Sequence, residues 1–302
     1  MEFFNSNANY DFIGKKRTFI ALSIILVVGS LIAIFKPGLK FGIDFAGGTE
    51  VQLFFKNKIE TVEVRKILTD NGFKDSSVQH LGIEGSGEYL VRLEQSSGNV
   101  TSLSGQIAGV FSKVKGEGSF EIKKIEMVGP RVGADLKKRG AWALFYALLG
   151  ILIYVALRFD YRFAPGGVIA LMHDSIIPLG VFAVLGRKFD LTILAAILTI
   201  IGYSINDTIV LFDRIREIMR THPGMDIVAI INKSINETMS RTILTSLTVF
   251  IALLAIYFFG GEVIHDFAFA MLIGVICGTY STIFIASPIF LLLYYRSEKQ
   301  KV

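Results

Sequence analysis

The sequence is poor in the residues that build redox, metal and nucleotide sites. It has one cysteine, Cys277, among 302 residues, and a single cysteine cannot form an internal disulfide. It contains no glycine-rich phosphate loop ending in Lys and Ser or Thr, no His/Cys cluster with zinc-ligand spacing and no GxSxG nucleophile motif. We therefore expect no cofactor, no bound metal and no enzymatic activity.

Charged residues are also scarce, at 19% of the chain, and the net charge of +5 is unevenly placed. Residues 38–133 contain twelve Lys or Arg and twelve Asp or Glu, so this polar region is neutral. The basic excess lies beside the apolar runs. This distribution argues against a nucleic-acid partner and indicates charges that set the orientation of membrane helices.

Hydrophobic residues are abundant, at 52% of the chain with a mean hydropathy of +0.55. Six apolar runs approach the ~20 residues that a membrane-spanning helix needs. The first run follows Lys15-Lys16-Arg17 and is too long for a cleaved signal peptide, so we expect it to stay as a helix. The last run exceeds one span, which predicts a tilt, a kink near Pro288 or a partly interfacial end. The runs cover residues 18–35, 141–157, 164–185, 191–212, 243–259 and 267–295.

Basic residues in the short connecting segments predict the orientation. Six spans place both termini on one side. The short segments on that side carry thirteen Lys or Arg, whereas the short loops on the opposite side carry only two, Arg187 and Lys188. The positive-inside rule then puts both termini in the cytoplasm. The predicted organisation is a cytoplasmic N-terminus and first span (1–37), a periplasmic domain (38–133), and five further spans (134–302) with a cytoplasmic segment (214–240) and a cytoplasmic C-terminus.

The polar region between the first two spans alternates between strand and helix patterns. Its order, βαββαβ, predicts a ferredoxin-like α+β domain, a fold that hosts many functions and therefore names none. The strand patterns cover 49–55, 77–84, 88–95 and 119–128, with a hairpin around Gly85-Ser86-Gly87. The amphipathic helices place Val64, Ile67 and Leu68 on one face, and Leu103, Ile107, Val110, Phe111 and Val114 on another.

The stretch FGIDFAGGT, residues 41–49, leaves the first span. One interpretation is a strand followed by a Gly-Gly turn, and the other is direct contact with a ligand. The sequence leaves both open.

Ionisable residues inside the fourth run need an explanation. Asp207 lies about 24 Å along the helix from residue 191, at 1.5 Å per residue, and directly follows Asn206. A charged Asp at the bilayer centre costs roughly 2.5–3.5 kcal/mol even on mild insertion scales. Asp213 lies beside Arg214 and Arg216, and we expect it to mark the cytoplasmic rim.

Two neighbouring runs carry further ionisable residues at membrane depth: His173 and Asp174 in the third, and Arg241 at the start of the fifth. These groups fit either a static polar knot that joins helices or a proton relay whose carboxylate alternates between paired and protonated states. His173 alone fits hydrogen bonding between helices as well as proton handling.

Five stretches resemble the SecD/SecF family of Sec protein-export membrane subunits: FGIDFAGGT, ALRFDYRFAPGGVIALMHD, LTIIGYSINDTIVLFDRIRE, SINETMSRTILTSLT and GVICGTYSTIFIASP. With the number of spans, the resemblance covers essentially the whole chain. It implies a membrane fold like that of resistance–nodulation–division transporters, in the bacterial inner membrane. It also implies a subunit that works with SecD beside the SecYEG channel and uses the proton gradient to help translocate and release exported polypeptides.

By the same resemblance, Asp207 is the proton-carrying carboxylate, Arg241 is its charged partner and Asp213 has a supporting role. YajC and YidC are further expected partners, together with membrane lipid and the exported polypeptide. Two alternatives stay open: a proton-driven small-molecule exporter of the same fold, and a structural scaffold of the channel that does not titrate.

Overall fold

The structure is a computed structural model that describes residues 10–57, 59–73, 76–81, 87–93 and 100–299. The chain divides into two compact units. Met1–Lys40 and Trp142–Val302 form one, which we call the membrane unit, and Phe41–Ala141 form the other, which we call the α+β domain.

The helices and strands follow one another in the order expected for spans flanking an α+β domain. The helices are α1 (Lys16–Ala33), α2 (Ile43–Ala46), α3 (Thr61–Asp70), α4 (Val100–Lys115), α5 (Pro130–Arg158), α6 (Ala164–Leu185), α7 (Leu191–Thr221), α8 (Ile227–Phe259), α9 (Glu262–Ser281) and α10 (Ser287–Lys299). A wider, π-helical segment joins α9 to α10 (Thr282–Ala286), and α1 is followed by a kinked segment (Ile34–Gly38) in which Lys36 has extended backbone angles. The strands are β1 (Lys40–Phe41), β2 (Gly48–Phe55), β3 (Ser76–Leu81), β4 (Glu88–Leu93), β5 (Phe120–Val128) and β6 (Lys188–Phe189).

Six helical stretches of the described residues are long and apolar enough to cross a membrane, and they differ in how far they are buried. In the α6, α7 and α9–α10 spans, 56%, 50% and 67% of the most apolar window is buried. In the α1, α5 and α8 spans the share is only 17%, 11% and 17%. A helix that is apolar on every side is either buried inside the protein or exposed to lipid. The membrane unit therefore has three central helices and three outer ones.

Small residues let the central helices approach closely. A Cβ built on Gly274 of α9 would lie 2.3 Å from Ile200 of α7, and one on Gly278 would lie 3.1 Å from Ser204. A Cβ on Gly166 of α6 would lie 2.7 Å from the Ala286 carbonyl oxygen. Small residues at such contacts are how membrane helices gain packing.

The last span is interrupted before Pro288, the second residue of α10. The Ser287 hydroxyl donates to the Thr282 carbonyl oxygen at 3.0 Å, five residues back. Proline lacks the N–H that would continue an α-helical ladder, so the wide turn accommodates it.

The predicted cytoplasmic segment 214–240 has no separate fold, because α7 continues to Thr221 and α8 begins at Ile227. The Asp226 side chain caps α8 by accepting from two backbone N–H groups at 3.0 and 3.2 Å. Arg214 of α7 binds Glu237 of α8 at 2.5 Å. The charged residues of 214–240 thus lie on the end of α7 and the start of α8, which form a helical hairpin.

The α+β domain contains a four-stranded antiparallel sheet in the order β3-β4-β2-β5. With α3 after β2 and α4 after β4, this is the predicted βαββαβ ferredoxin-like arrangement. The register pairs Val51 with Val91 and Ile125, so the apolar side chains share one face. The tip of the predicted hairpin, at 82–86, lies outside the described residues.

The core of this domain contains most of the predicted apolar faces. Its fully buried members include Val51, Leu53, Val64, Leu68, Val91, Ile107 and Phe111. Val114, which we placed with them, is 51% exposed. It lies in the last turn of α4, directly before the Gly116 turn, where the helix leaves the core.

The stretch 41–49 differs from the predicted strand and turn. A single helical turn, α2, stands between β1 and the two glycines. Gly47 and Gly48 both have positive φ, at 77° and 129°. A Cβ on Gly47 would lie 2.9 Å from the Pro130 Cα. Glycine is required here by both backbone conformation and space. The domain also extends past the predicted end at 133, because the first turns of α5 pack with it.

Candidate functional site

Asp174 is the centre of a buried hydrogen-bond network in the membrane unit. It lies on α6 and is fully buried. Its Oδ2 accepts from the Ser204 hydroxyl of α7 at 2.6 Å and from the Ser281 hydroxyl of α9 at 2.7 Å. Its Oδ1 lies 2.9 Å from His173 Nδ1. One carboxylate thus joins the three central helices.

His173 extends the network towards α1. Because Nδ1 faces a carboxylate, it carries the ring proton in the neutral imidazole. Nε2 is buried and has no hydrogen-bond partner among the described residues. The ring stacks on Tyr280 at 5.9 Å. The Tyr280 hydroxyl donates to the Phe19 carbonyl oxygen at 2.5 Å and lies 2.9 Å from Ser23 Oγ.

Asp207 has quite different surroundings. It lies on α7 and is 5% exposed. Within the described ranges, no hydrogen bond and no ion pair reaches its carboxylate. Its neighbours in the chain are held firmly: Ser204 donates to Asp174, and Thr208 Oγ1 lies 2.9 Å from Thr282 Oγ1. The helix around Asp207 is therefore fixed to α6 and to the wide turn Thr282–Ala286, while the Asp207 carboxylate is not.

Arg241 is close enough to Asp207 for its charge to act on the carboxylate, but it forms no ion pair in the described part of the chain. Its side chain is exposed on α8. The direct hydrogen bond between α7 and α8 near this level is long, with Tyr203 Oη and Ser246 Oγ 3.4 Å apart. Ser246 is bound more closely to Thr279 of α9, at 2.8 Å.

The other predicted residues lie apart from this pair. Asn206 is exposed on α7 and points away from the face that buries Asp207 and Thr208. Asp213 lies at the end of the apolar part of α7, where it binds Arg216 at 2.9 Å and Arg158 at 3.4 Å. Its side chain is 38% exposed.

Sequence reasoning missed two asparagines at the start of α8. Asn232 and Asn236 bind the backbone of residues 10–13. Their spacing of four residues, which places both on one face of α8, was the available signal. Their binding partners are more than 200 residues away in the chain, so no local pattern could identify them.

The two carboxylates are suited to different tasks. Asp174 accepts from two serine hydroxyls and lies beside one imidazole nitrogen, so its oxygens have their partners in place. Asp207 has a buried carboxylate with no such donors among the described residues, and the Arg241 charge acts on it without an ion pair. In such an arrangement, gain or loss of a proton would change the balance of forces between α7 and α8. Among the described residues, no group of three or more His, Cys, Asp or Glu side chains is arranged to hold a metal ion.

Comparison with known proteins identifies the family. The family model described as "Protein export membrane protein SecD/SecF, C-terminal" matches residues 108–296, and the "SecD/SecF GG Motif" matches residues 32–57. A protein translocase subunit SecF from Calditerrivibrio nitroreducens is 43% identical, over 97% of this chain and 97% of the relative. One from Desulfurispirillum indicum is 48% identical, over 93% of this chain and 90% of the relative.

Solved structures show the same fold. The crystal structure of SecDF, a translocon-associated membrane protein from Thermus thermophilus, matches 96% of this chain with a TM-score of 0.84 and 34% identity. This chain spans 39% of that longer SecDF chain. A SecDF structure in a super-membrane-facing form matches 98% of this chain with a TM-score of 0.72. The chain is thus a multi-pass membrane protein with a resistance–nodulation–division-like fold, and it belongs to the SecD/SecF family of protein export membrane proteins.

Proposed function

We propose that this protein is a subunit of the Sec protein-export machinery that works with SecD and uses the proton gradient to assist translocation and release of exported polypeptides. The observation that carries the proposal is Asp207, a carboxylate buried in a membrane span with no hydrogen bond from the described residues. A buried carboxylate without partners is costly, and such residues in membrane spans mark proton and ion pathways.

Protonation of Asp207 is the switching event. The charged carboxylate attracts Arg241 on α8, and the neutral form does not, so each proton changes the force between α7 and α8. One charge that crosses 100 mV supplies about 2.3 kcal/mol. Because α8 is an outer helix with 17% of its apolar window buried, it is the element that can shift against the central helices.

The remaining polar residues support this cycle. Asp174 and His173 hold α6, α7 and α9 together, so that α8 moves against a fixed frame. Asp213, with Arg158 and Arg216, fixes the rim of α7.

SecD is the proposed partner because exposed polar groups remain in the spans. Asn206 on α7 and Arg241 on α8 are both exposed in this chain. Hydrocarbon satisfies neither group, so a second membrane subunit is needed to cover them. The SecDF relatives are longer, since this chain matches only 39% and 40% of theirs. SecYEG, YajC, YidC and the exported polypeptide complete the proposed assembly in the bacterial inner membrane.

The basic residues of the short segments support cytoplasmic termini, and therefore a periplasmic α+β domain. In that position the domain can act on a polypeptide as it leaves the channel.

The test is export into vesicles that contain SecD, the channel and this chain, with and without a proton gradient. Asp207→Asn keeps the shape of the side chain and removes its titration, so it should insert and assemble normally yet lose all gradient stimulation. Asp135→Asn is the matched control, because Asp135 is an exposed carboxylate in a surface pair with Arg139. Normal stimulation of export by the Asp207→Asn protein would favour the scaffold alternative.

A further inference from the structure

The turn that precedes α1 is bound to α8 by the side chain of Asn232. Asn232 Oδ1 accepts from the backbone N–H of Phe12 at 3.1 Å and of Ile13 at 3.0 Å. Its Nδ2 donates to Asp11 Oδ1 at 2.9 Å. An amide oxygen can accept two hydrogen bonds, so the Asn232 side chain satisfies two N–H groups of the turn at once.

Asn236 binds the residue before this turn from one helical turn further along α8. Its Oδ1 accepts from the Tyr10 N–H at 3.1 Å, and its Nδ2 donates to the Tyr10 carbonyl oxygen at 3.0 Å. We call Asn232, Asn236 and the backbone of residues 10–13 the asparagine clasp.

Local geometry keeps the turn in shape for the clasp. Asp11 Oδ1 also accepts from the Gly14 N–H at 2.8 Å. A Cβ on Gly14 would lie 2.0 Å from the Asp11 carboxylate, so a side chain there would displace it. Ile13 is 2% exposed and packs in the core of the membrane unit. The Gly14 and Asn232 hydrogen bonds lower the pKa of Asp11, so its carboxylate is charged at neutral pH and the contact weakens only in acid.

The clasp lies close to the residues of the proposed switch. Asn236 precedes Arg241 by five residues, about 7.5 Å along α8. The residues on the other side of the clasp lead directly into α1, which packs on α6 where Ser30 fills the space beside Gly180. The start of α8, an outer helix, is thereby fastened through α1 to the central helices.

We propose that Asn232 and Asn236 are positioning residues that fasten the start of α8 to the turn before α1 and so set the distance between Arg241 and Asp207. The inference rests on the proposed function. The clasp stays closed through the cycle, and α8 pivots about it when Asp207 changes charge.

The clasp is tested first by hydrogen–deuterium exchange on the assembled complex, without reference to export. Asn232→Ala should speed exchange of the Phe12 and Ile13 amides by about tenfold, because both lose their acceptor. Thr238→Val is the control on the same helix, since the Thr238 hydroxyl binds only carbonyl groups of α8. Unchanged exchange in Asn232→Ala would overturn the clasp, whatever export shows.

Gradient-stimulated export is the second test. The Asn232→Ala, Asn236→Ala double variant should lose stimulation by about twofold or more, with gradient-independent export and protein level unchanged. Thr238→Val should retain full stimulation. Full stimulation in the double variant would refute the positioning role.

A cross-link shows whether the asparagine clasp stays closed during the cycle or opens. In a Cys277→Ala background, Asp11→Cys and Asn232→Cys are joined by a short bifunctional thiol reagent. Joining should raise gradient stimulation above that of the unjoined double-cysteine protein, because the cross-link replaces the hydrogen bonds that Asn232→Cys removes and keeps the clasp closed. If stimulation is lost on cross-linking and returns on cleavage, the clasp opens during the cycle and the proposal is wrong. The Asp207→Asn protein, measured in parallel, distinguishes a failure of the clasp from a failure of the proton mechanism. Asp207→Asn should alter export but leave the amide protection of Phe12 and Ile13 unchanged.

Discussion

Asp174 and Asp207 are both carboxylates buried in central membrane helices, yet their surroundings have little in common. Asp174 lies within hydrogen-bond distance of two serine hydroxyls and one imidazole nitrogen. Asp207, one turn beyond Ser204, has no such partner in the described part of the chain. Burial alone therefore does not separate a carboxylate that anchors helices from the one that we propose as the switch. The donors around it do, because they decide whether its charge can change without disturbing the helices.

The largest expected effect is on stability. Hydrogen bonds within membranes contribute roughly 0.6–2 kcal/mol each. Asp174→Ala removes three and leaves buried donors unpaired, so it should lower the free energy of unfolding by about 3 kcal/mol. Asp207→Ala breaks no hydrogen bond to the described residues and should change the free energy of unfolding by less than about 1 kcal/mol. Denaturant unfolding of the purified chain in detergent measures both, and equal losses would break the comparison.

The second effect concerns how Arg241 acts on Asp207. Because the guanidinium binds no carboxylate in the described residues, the structure requires only its charge. Arg241→Gln should reduce gradient-stimulated export about tenfold, whereas Arg241→Lys should keep most of it. If Arg241→Lys loses as much gradient-stimulated export as Arg241→Gln, the planar guanidinium of Arg241 has a partner on another subunit. Asp207 is then not its principal contact.

A third variant provides a reference outside the membrane. The Tyr89 hydroxyl donates to the Ile59 carbonyl oxygen within the core of the α+β domain. Tyr89→Phe should lower the stability of this domain by about 1 kcal/mol, read from exchange of the β2 amides. If Tyr89→Phe lowers the stability by much more or much less than this, the free energy expected for each hydrogen bond of Asp174 must be changed in proportion.

Tyr89 also predicts a pH dependence. Burial, with a smaller contribution from Glu60, raises the pKa of its phenol above the ordinary value. Its contribution to stability is complete below about pH 10, the unfolded pKa, and is lost as the pH rises through the folded pKa. In the Tyr89→Phe protein, the stability of the α+β domain should not show the decrease at alkaline pH that comes from ionisation of Tyr89.

The smallest effect is expected at the rim. Asp213 is 38% exposed, and surface ion pairs contribute about 0–1 kcal/mol. Asp213→Asn should change the unfolding free energy by less than about 0.5 kcal/mol and leave gradient stimulation above half of normal. Complete loss of stimulation would move Asp213 from the rim into the proton path.

The spans and the α+β domain could be predicted because their information is local. Runs of about 20 apolar residues and the alternation of strand and helix periods need no knowledge of distant contacts. The order of strands in the sheet also followed from the βαββαβ pattern. Val114 failed because a helical face continues in sequence past the point where the core ends. The helical hairpin within 214–240 was not predicted, because charged residues near a membrane surface fit the ends of two long helices as well as a segment between them.

Much of the candidate site was not predictable for the opposite reason. Ser204 and Ser281 are 30 and 107 residues from Asp174, so nothing in the sequence showed that Asp174 has its donors and Asp207 does not. The predicted runs 164–185 and 191–212 are both apolar, and each contains one carboxylate. The exposure of Arg241 is equally non-local, because it depends on which helices flank α8.

Because of the wide turn at Thr282–Ala286, the side chains of the last span face one direction before the turn and another direction after it. An extra residue in a helical turn rotates everything after it by about 100° relative to everything before it. Thr282 thereby faces Thr208, while Phe290 of α10 stacks on Phe163 at 4.0 Å. A deletion of one residue within 283–285 would restore a continuous α-helix and turn the Phe290 face out of its aromatic pocket. Length variation in this segment should therefore be tolerated far less than its apolar composition suggests.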